Sequence, residues 1–146
     1  MKKKRNLILV AGLFIVAIAL LAFFIINSPS KDKIDRNNVE NVEVNSLKQN
    51  FTLNKEDVEE FITLFNNNAT YNEKANGELV SSDADINVKY KNGESLRVAC
   101  YGIDYPTIEI ALYDSEGNTD ERYYIKDDEL KAFVYETLEK YQKISE

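Results

Sequence analysis

The chemistry open to this chain of 146 residues is bounded by what it lacks. It has 25 acidic side chains, nine tyrosines and one cysteine, but no histidine and no tryptophan. Without histidine, the Ser-His-Asp and Cys-His nucleophile systems and histidine-ligated zinc are excluded. Cys100 as the only cysteine excludes an intrachain disulfide and a cysteine-rich metal centre. The glycines Gly12, Gly77, Gly93, Gly102 and Gly117 are scattered and make no phosphate-cradling loop, so no cofactor is expected. What remains is carboxylate chemistry and recognition.

Two carboxylates about 5–10 Å apart in a cleft can share acid and base roles, as in glycoside hydrolysis. In so acidic a chain, however, most carboxylates are solvated surface charge. Asp114, Glu116, Asn118 and Asp120 set oxygens at alternate positions, as a calcium loop does. The glycine of that stretch, Gly117, stands fourth where an EF-hand needs it sixth, and no bidentate acid closes the loop. The segment therefore reads as a hairpin turn, and no metal is expected. Asn50-Phe51-Thr52 and Asn68-Ala69-Thr70 fit the glycosylation pattern, matches that an asparagine-rich chain produces by chance. The richness in Lys, Asn, Ile and Tyr resembles the composition of low-GC bacterial proteins.

Recognition is the better-supported use of these side chains. Arg97, Tyr101, Tyr113, Arg122 and Tyr124 are of the types that binding surfaces favour, and the strand phases below bring them to one sheet face. Tyrosine is also a good strand former, so a purely structural role competes. The argument depends on the elements that carry them.

The segment 85–101 is a hairpin. Ile86, Val88 and Tyr90 alternate before Asn92-Gly93, and Leu96, Val98 and Cys100 alternate after it. A two-residue loop would put these two apolar sets on opposite faces. A three-residue loop, Lys91-Asn92-Gly93 with Gly93 left-handed, faces Val88 with Leu96 and Ile86 with Val98, and is the expected register. Cys100 then lies in the inward phase as a small buried hydrophobe. After Pro106, Ile108, Ile110 and Leu112 point inward while Glu109, Ala111 and Tyr113 point outward. Residues 121–125 return antiparallel, with Tyr124 outward if Ile125 is inward.

Two helices complete the pattern. Asn54 is a good cap before Glu56 and Asp57, and Val58, Phe61, Ile62 and Phe65 then share one helical face. Asp127 caps a C-terminal helix whose apolar stripe is Leu130, Phe133, Val134, Leu138 and Tyr141. Val42 and Val44 mark a first strand. The expected fold is α+β, with about five to six mainly antiparallel strands over 42–146 and both helices packed on one sheet face. The order strand, helix, four strands, helix resembles one half of the TATA-binding-protein-like fold, a likeness of architecture that implies no function.

Upstream stands an uninterrupted apolar run that begins at Leu7 and ends at Ile26, without a charge or a polar side chain. At about 1.5 Å per residue it spans roughly 30 Å, the thickness of a bilayer core. It is expected to be a single transmembrane helix. Lys2, Lys3, Lys4 and Arg5 before it put the tail 1–6 in the cytoplasm and the rest outside the cell membrane. A cleaved secretory signal is the competing reading, but its apolar region is normally about 7–15 residues, and Ala17-Ile18-Ala19 falls inside the run. Residues 27–41 are polar and read as a flexible spacer.

All the acids lie beyond residue 27, where 25 of them face 14 basic residues, a net charge of −11. Such a domain repels phosphate backbones, so nucleic acid is not an expected partner. The expected function is that of a membrane-anchored, extracytoplasmic, non-catalytic binding module for a protein, peptide or envelope polymer. Two alternatives are a carboxylate enzyme acting on cell-envelope glycan and a regulatory or protective subunit of a membrane complex.

Overall fold

The computed structural model describes residues 33–69, 71, 73–75 and 81–145. The expected cytoplasmic tail, the membrane helix 7–26 and the part of the spacer before residue 33 lie outside them. Among the described residues no helix is long and apolar enough to cross a membrane.

The described part is a small α+β domain of seven strands and two helices. A 3-10 turn (Arg36–Asn38) leads into β1 (Val39–Ser46) and β2 (Asn50–Thr52). Then come α1 (Lys55–Asn68), β3 (Glu73–Lys74), β4 (Ala84–Tyr90), β5 (Ser95–Cys100), β6 (Ile108–Tyr113), β7 (Thr119–Ile125) and α2 (Asp128–Ile144). The sheet order is β2-β1-β4-β5-β6-β7-β3, and every neighbouring pair is antiparallel. Seven strands exceed the expected five to six, and β2 and β3 are the two that the pattern did not mark. β2 and β3 are only three and two residues long and sit at the two edges, where such short strands blunt an otherwise open ladder.

The β4–β5 hairpin has the three-residue register, with Val88 opposite Leu96 and Ile86 opposite Val98. Gly93 alone in this turn has positive φ, at 88°. A Cβ there would also stand 3.2 Å from the Ser115 side chain in the next turn, so both conformation and space ask for glycine.

The helices start where their caps say. The Asn54 side chain accepts from the Asp57 amide, and that of Asp127 from the Leu130 amide. Phe61 and Phe65 of α1 and Leu130 and Val134 of α2 are fully buried in one core with Val42, Val44, Ile86, Val88, Val98 and Ile110 of the sheet. Both helices therefore cover the same face. They run antiparallel: the buried Asp57 carboxylate takes Lys140 Nζ at 2.6 Å and the Tyr141 hydroxyl at 2.7 Å, while Asn68 at the other end donates to Glu129.

One boundary differs from expectation. Residues 33–41 belong to the folded unit rather than to a spacer, because Ile34 is 2% exposed in the core. The Asn66 side chain holds it on both sides: Oδ1 accepts from the Ile34 amide at 2.7 Å and Nδ2 donates to its carbonyl at 2.9 Å. A lone isoleucine in a polar stretch carries no periodicity, so pattern reading passes over it. In urea unfolding, Ile34→Ala is expected to cost about 3 kcal/mol. Asn66→Ala is expected to cost about 1–2 kcal/mol. Unchanged midpoints for both would return this segment to the spacer.

Candidate binding face

Strand alternation sends every second side chain to the face that neither helix covers. Two register lines cross its centre. One runs Glu43, Asn87, Arg97, Ala111, Arg122, and the next runs Asn45, Asp85, Ala99, Glu109, Tyr124, Glu73. Arg97 and Arg122 thus flank Ala111 in one line, and Asp85 and Glu109 flank Ala99 in the other. Like charges are kept one strand apart by an alanine, and unlike charges meet on the diagonal. Both alanines are buried although no helix lies over them. Small side chains at these two places leave room for the long arginine stems to lie along the sheet.

Each arginine is held by an acid. Arg122 Nε and Nη2 donate to the two oxygens of Glu109 at 3.1 and 2.7 Å, a planar bidentate pair. Glu109 is 1% exposed. Arg97 Nε and Nη2 donate to Asp85 Oδ2 at 3.2 and 2.9 Å, and Nη2 also reaches Ser82 Oγ at 2.6 Å. Asn45 Nδ2 donates to the other Asp85 oxygen at 2.8 Å. Burial disfavours the Arg97 charge, but Asp85 and Tyr113 beside it more than offset this and raise its pKa above the ordinary guanidinium value.

The three expected tyrosines border these pairs. Tyr124 stands directly opposite Glu109, Tyr113 lies beside Arg97, and Tyr101 lies near Glu109, Arg97 and Tyr124. All five expected residues are therefore neighbours on one face. The Tyr101 ring meets that of Tyr105 edge-on at 6.0 Å, and Tyr105 is 50% exposed. Desolvation, with the Glu109 carboxylate adding to it, pushes the Tyr101 hydroxyl up to about 12. That oxygen is shut off from solvent and has no well-formed hydrogen bond.

Sequence reasoning missed Asp85, Glu109, Ser82 and Tyr105. Glu109 was in plain view in the outward phase, and the signal that identifies its role is an arginine on the next strand one pair away. Elsewhere, the Asp114 carboxylate is spent on its own turn. It accepts from the amides of Glu116 and Asn118 and from the Asn118 side chain. The Asn118 contacts lower its pKa. Cys100 is fully buried, and desolvation pushes its thiol up to about 12, where it is a poor nucleophile at neutral pH.

Comparison with protein-family models, with curated proteins and with solved structures finds no match.

Because Glu109 is buried, removing its partner should be costly while removing both charges should not. Arg122→Ala is expected to destabilise by about 3–5 kcal/mol, and Arg122→Met combined with Glu109→Leu by far less. Arg36→Ala, which breaks an exposed pair with Glu59, is expected to cost about 0–1 kcal/mol. Urea unfolding of the three variants checks this, and equal losses for Arg122→Ala and Arg36→Ala would contradict it.

Proposed function

We propose that the chain is a non-catalytic binding module, held outside the cell membrane by the helix 7–26 with its N-terminus in the cytoplasm. Its ligand is a protein, peptide or envelope polymer. The contact is made by the face of Arg97, Tyr101, Tyr113, Arg122 and Tyr124. The observation that carries this reading is the Tyr101 hydroxyl, which is buried and has no well-formed hydrogen bond, the acceptor beside it being the Glu109 carboxylate that Arg122 already holds at both oxygens. A native fold rarely leaves a buried hydroxyl without a well-formed partner, and a ligand that supplied one would account for it. The fixed arginine–carboxylate pairs beside it lower the ordering cost of contact, because their side chains are already immobile.

A carboxylate enzyme is a weaker account of the same face. Its two buried acids, Asp85 and Glu109, have their oxygens occupied by guanidinium, amide and hydroxyl donors. Their engagement as ion-pair partners favours the binding reading.

Tyr101→Phe separates binding from folding. Deleting a hydroxyl that has no well-formed hydrogen bond is expected to leave stability unchanged or to raise it by up to about 1 kcal/mol. Photo-crosslinking amino acids placed at Tyr113 and Tyr124 in intact cells should give a discrete adduct that Tyr101→Phe weakens. The same probe at Glu60, exposed on the helix side, should give none. Adducts of equal yield at Glu60, or none at either tyrosine, would overturn the proposal.

A further inference from the structure

The β5–β6 loop presents a large aliphatic side chain to water while its backbone is pinned. Ile103 is 70% exposed. The loop around it is tied to α2 at three points: Lys131 Nζ donates to the carbonyls of Ile103 and Tyr105 at 3.0 and 3.2 Å, and the Tyr135 hydroxyl accepts from the Gly102 amide at 3.0 Å. A loop held this firmly, with its apolar residue turned outward, is preorganised for contact.

Ile103 forms one wall of a groove of about 330 Å³ against α2. Ala132 and the Tyr135 ring supply the rest of its apolar surface, and Asp128, Glu136 and Glu139 stand at its edge. Lys131 is the cation of the lining, and besides the loop carbonyls it reaches Asp128 at 3.6 Å, while Glu139 is paired with Lys143 one turn on at 2.5 Å, which leaves Glu136 as the carboxylate most open to a partner. The groove therefore pairs an apolar floor with Glu136 and two exposed carboxylates held only by lysine pairs that a partner's cations can displace, in a domain whose own field is acidic and attracts cations toward it. Complementarity in both respects belongs to a segment with lysine or arginine flanking an aliphatic residue.

We propose that this groove is a second docking site, distinct from the sheet face, for a cationic, aliphatic segment of a partner protein. The aliphatic side chain packs on Ile103, Ala132 and Tyr135. The flanking cations meet Glu136 and displace the surface lysine pairs of Asp128 and Glu139. The loop joins this groove to the sheet face, because Tyr105 on the same loop packs against Tyr101.

The probe is the acetylated and amidated tripeptide Lys-Leu-Lys, titrated into the isotope-labelled full-length chain in neutral-lipid nanodiscs and followed by NMR. Saturable shifts are expected at the Ile103 and Ala132 methyl groups. Ile103→Ser and Glu136→Lys should each weaken binding by about tenfold. Both residues are exposed, so the fold survives, which the unchanged spectrum of the free variants verifies. Glu40→Lys, an equal charge change at the far end of β1, should alter binding by less than about twofold. Equal weakening by Glu40→Lys would reduce the effect to the overall field and overturn the proposal. Equal shifts with Ser-Leu-Ser, no shifts at all, or concentration-dependent self-association through Ile103 without peptide would each overturn it too.

Discussion

The constraint on which this structure depends is that an antiparallel sheet of seven strands has two faces, and the two helices cover only one. The second face must close over its own central positions. It does so with the diagonal pairs Arg122–Glu109 and Arg97–Asp85, laid across Ala99 and Ala111. The two alanines are as much a part of the device as the charges, since a larger residue at either would lift the guanidinium off the sheet. Pairs of this kind contribute little net stability, because the cost of desolvation offsets most of the attraction. Their effect is to hold side chains in one place, and a face held still is suited to contact.

The helical face is built on different physics. There the aromatic cluster of Phe61, Phe65 and Phe133 excludes water, and polar clamps set the positions of the pieces around it. Asp57 joins the start of α1 to the end of α2, and Asn66 fastens Ile34 to α1. Ile34 is thereby part of the core although it stands in a stretch of polar composition.

Much of the fold was legible before the structure. Alternation on both sides of Asn92-Gly93 dictated the hairpin register, because one of two loop lengths put apolar residues on one face and the other did not. The caps at Asn54 and Asp127 were visible for an equally local reason. The edge strands β2 and β3 were not, since two or three residues have no measurable period and their pairing is decided by neighbours distant in sequence. The five face residues were found by phase alone. Phase tells which side a residue points to but not whether it is covered, and Glu109 is outward and yet buried. The groove beside Ile103 is tertiary and left no trace in the pattern.

The claim that the uncovered face is a fixed, self-paired layer is most directly tested by the arginine Nε–H groups. Arg97 and Arg122 both donate through Nε to buried carboxylates, whereas Arg36 pairs at the surface through Nη2. Nitrogen-resolved NMR of hydrogen exchange at neutral pH should show sharp, slowly exchanging Nε–H signals for Arg97 and Arg122 and a fast, averaged one for Arg36. Exchange of all three at the same rapid rate would contradict the account.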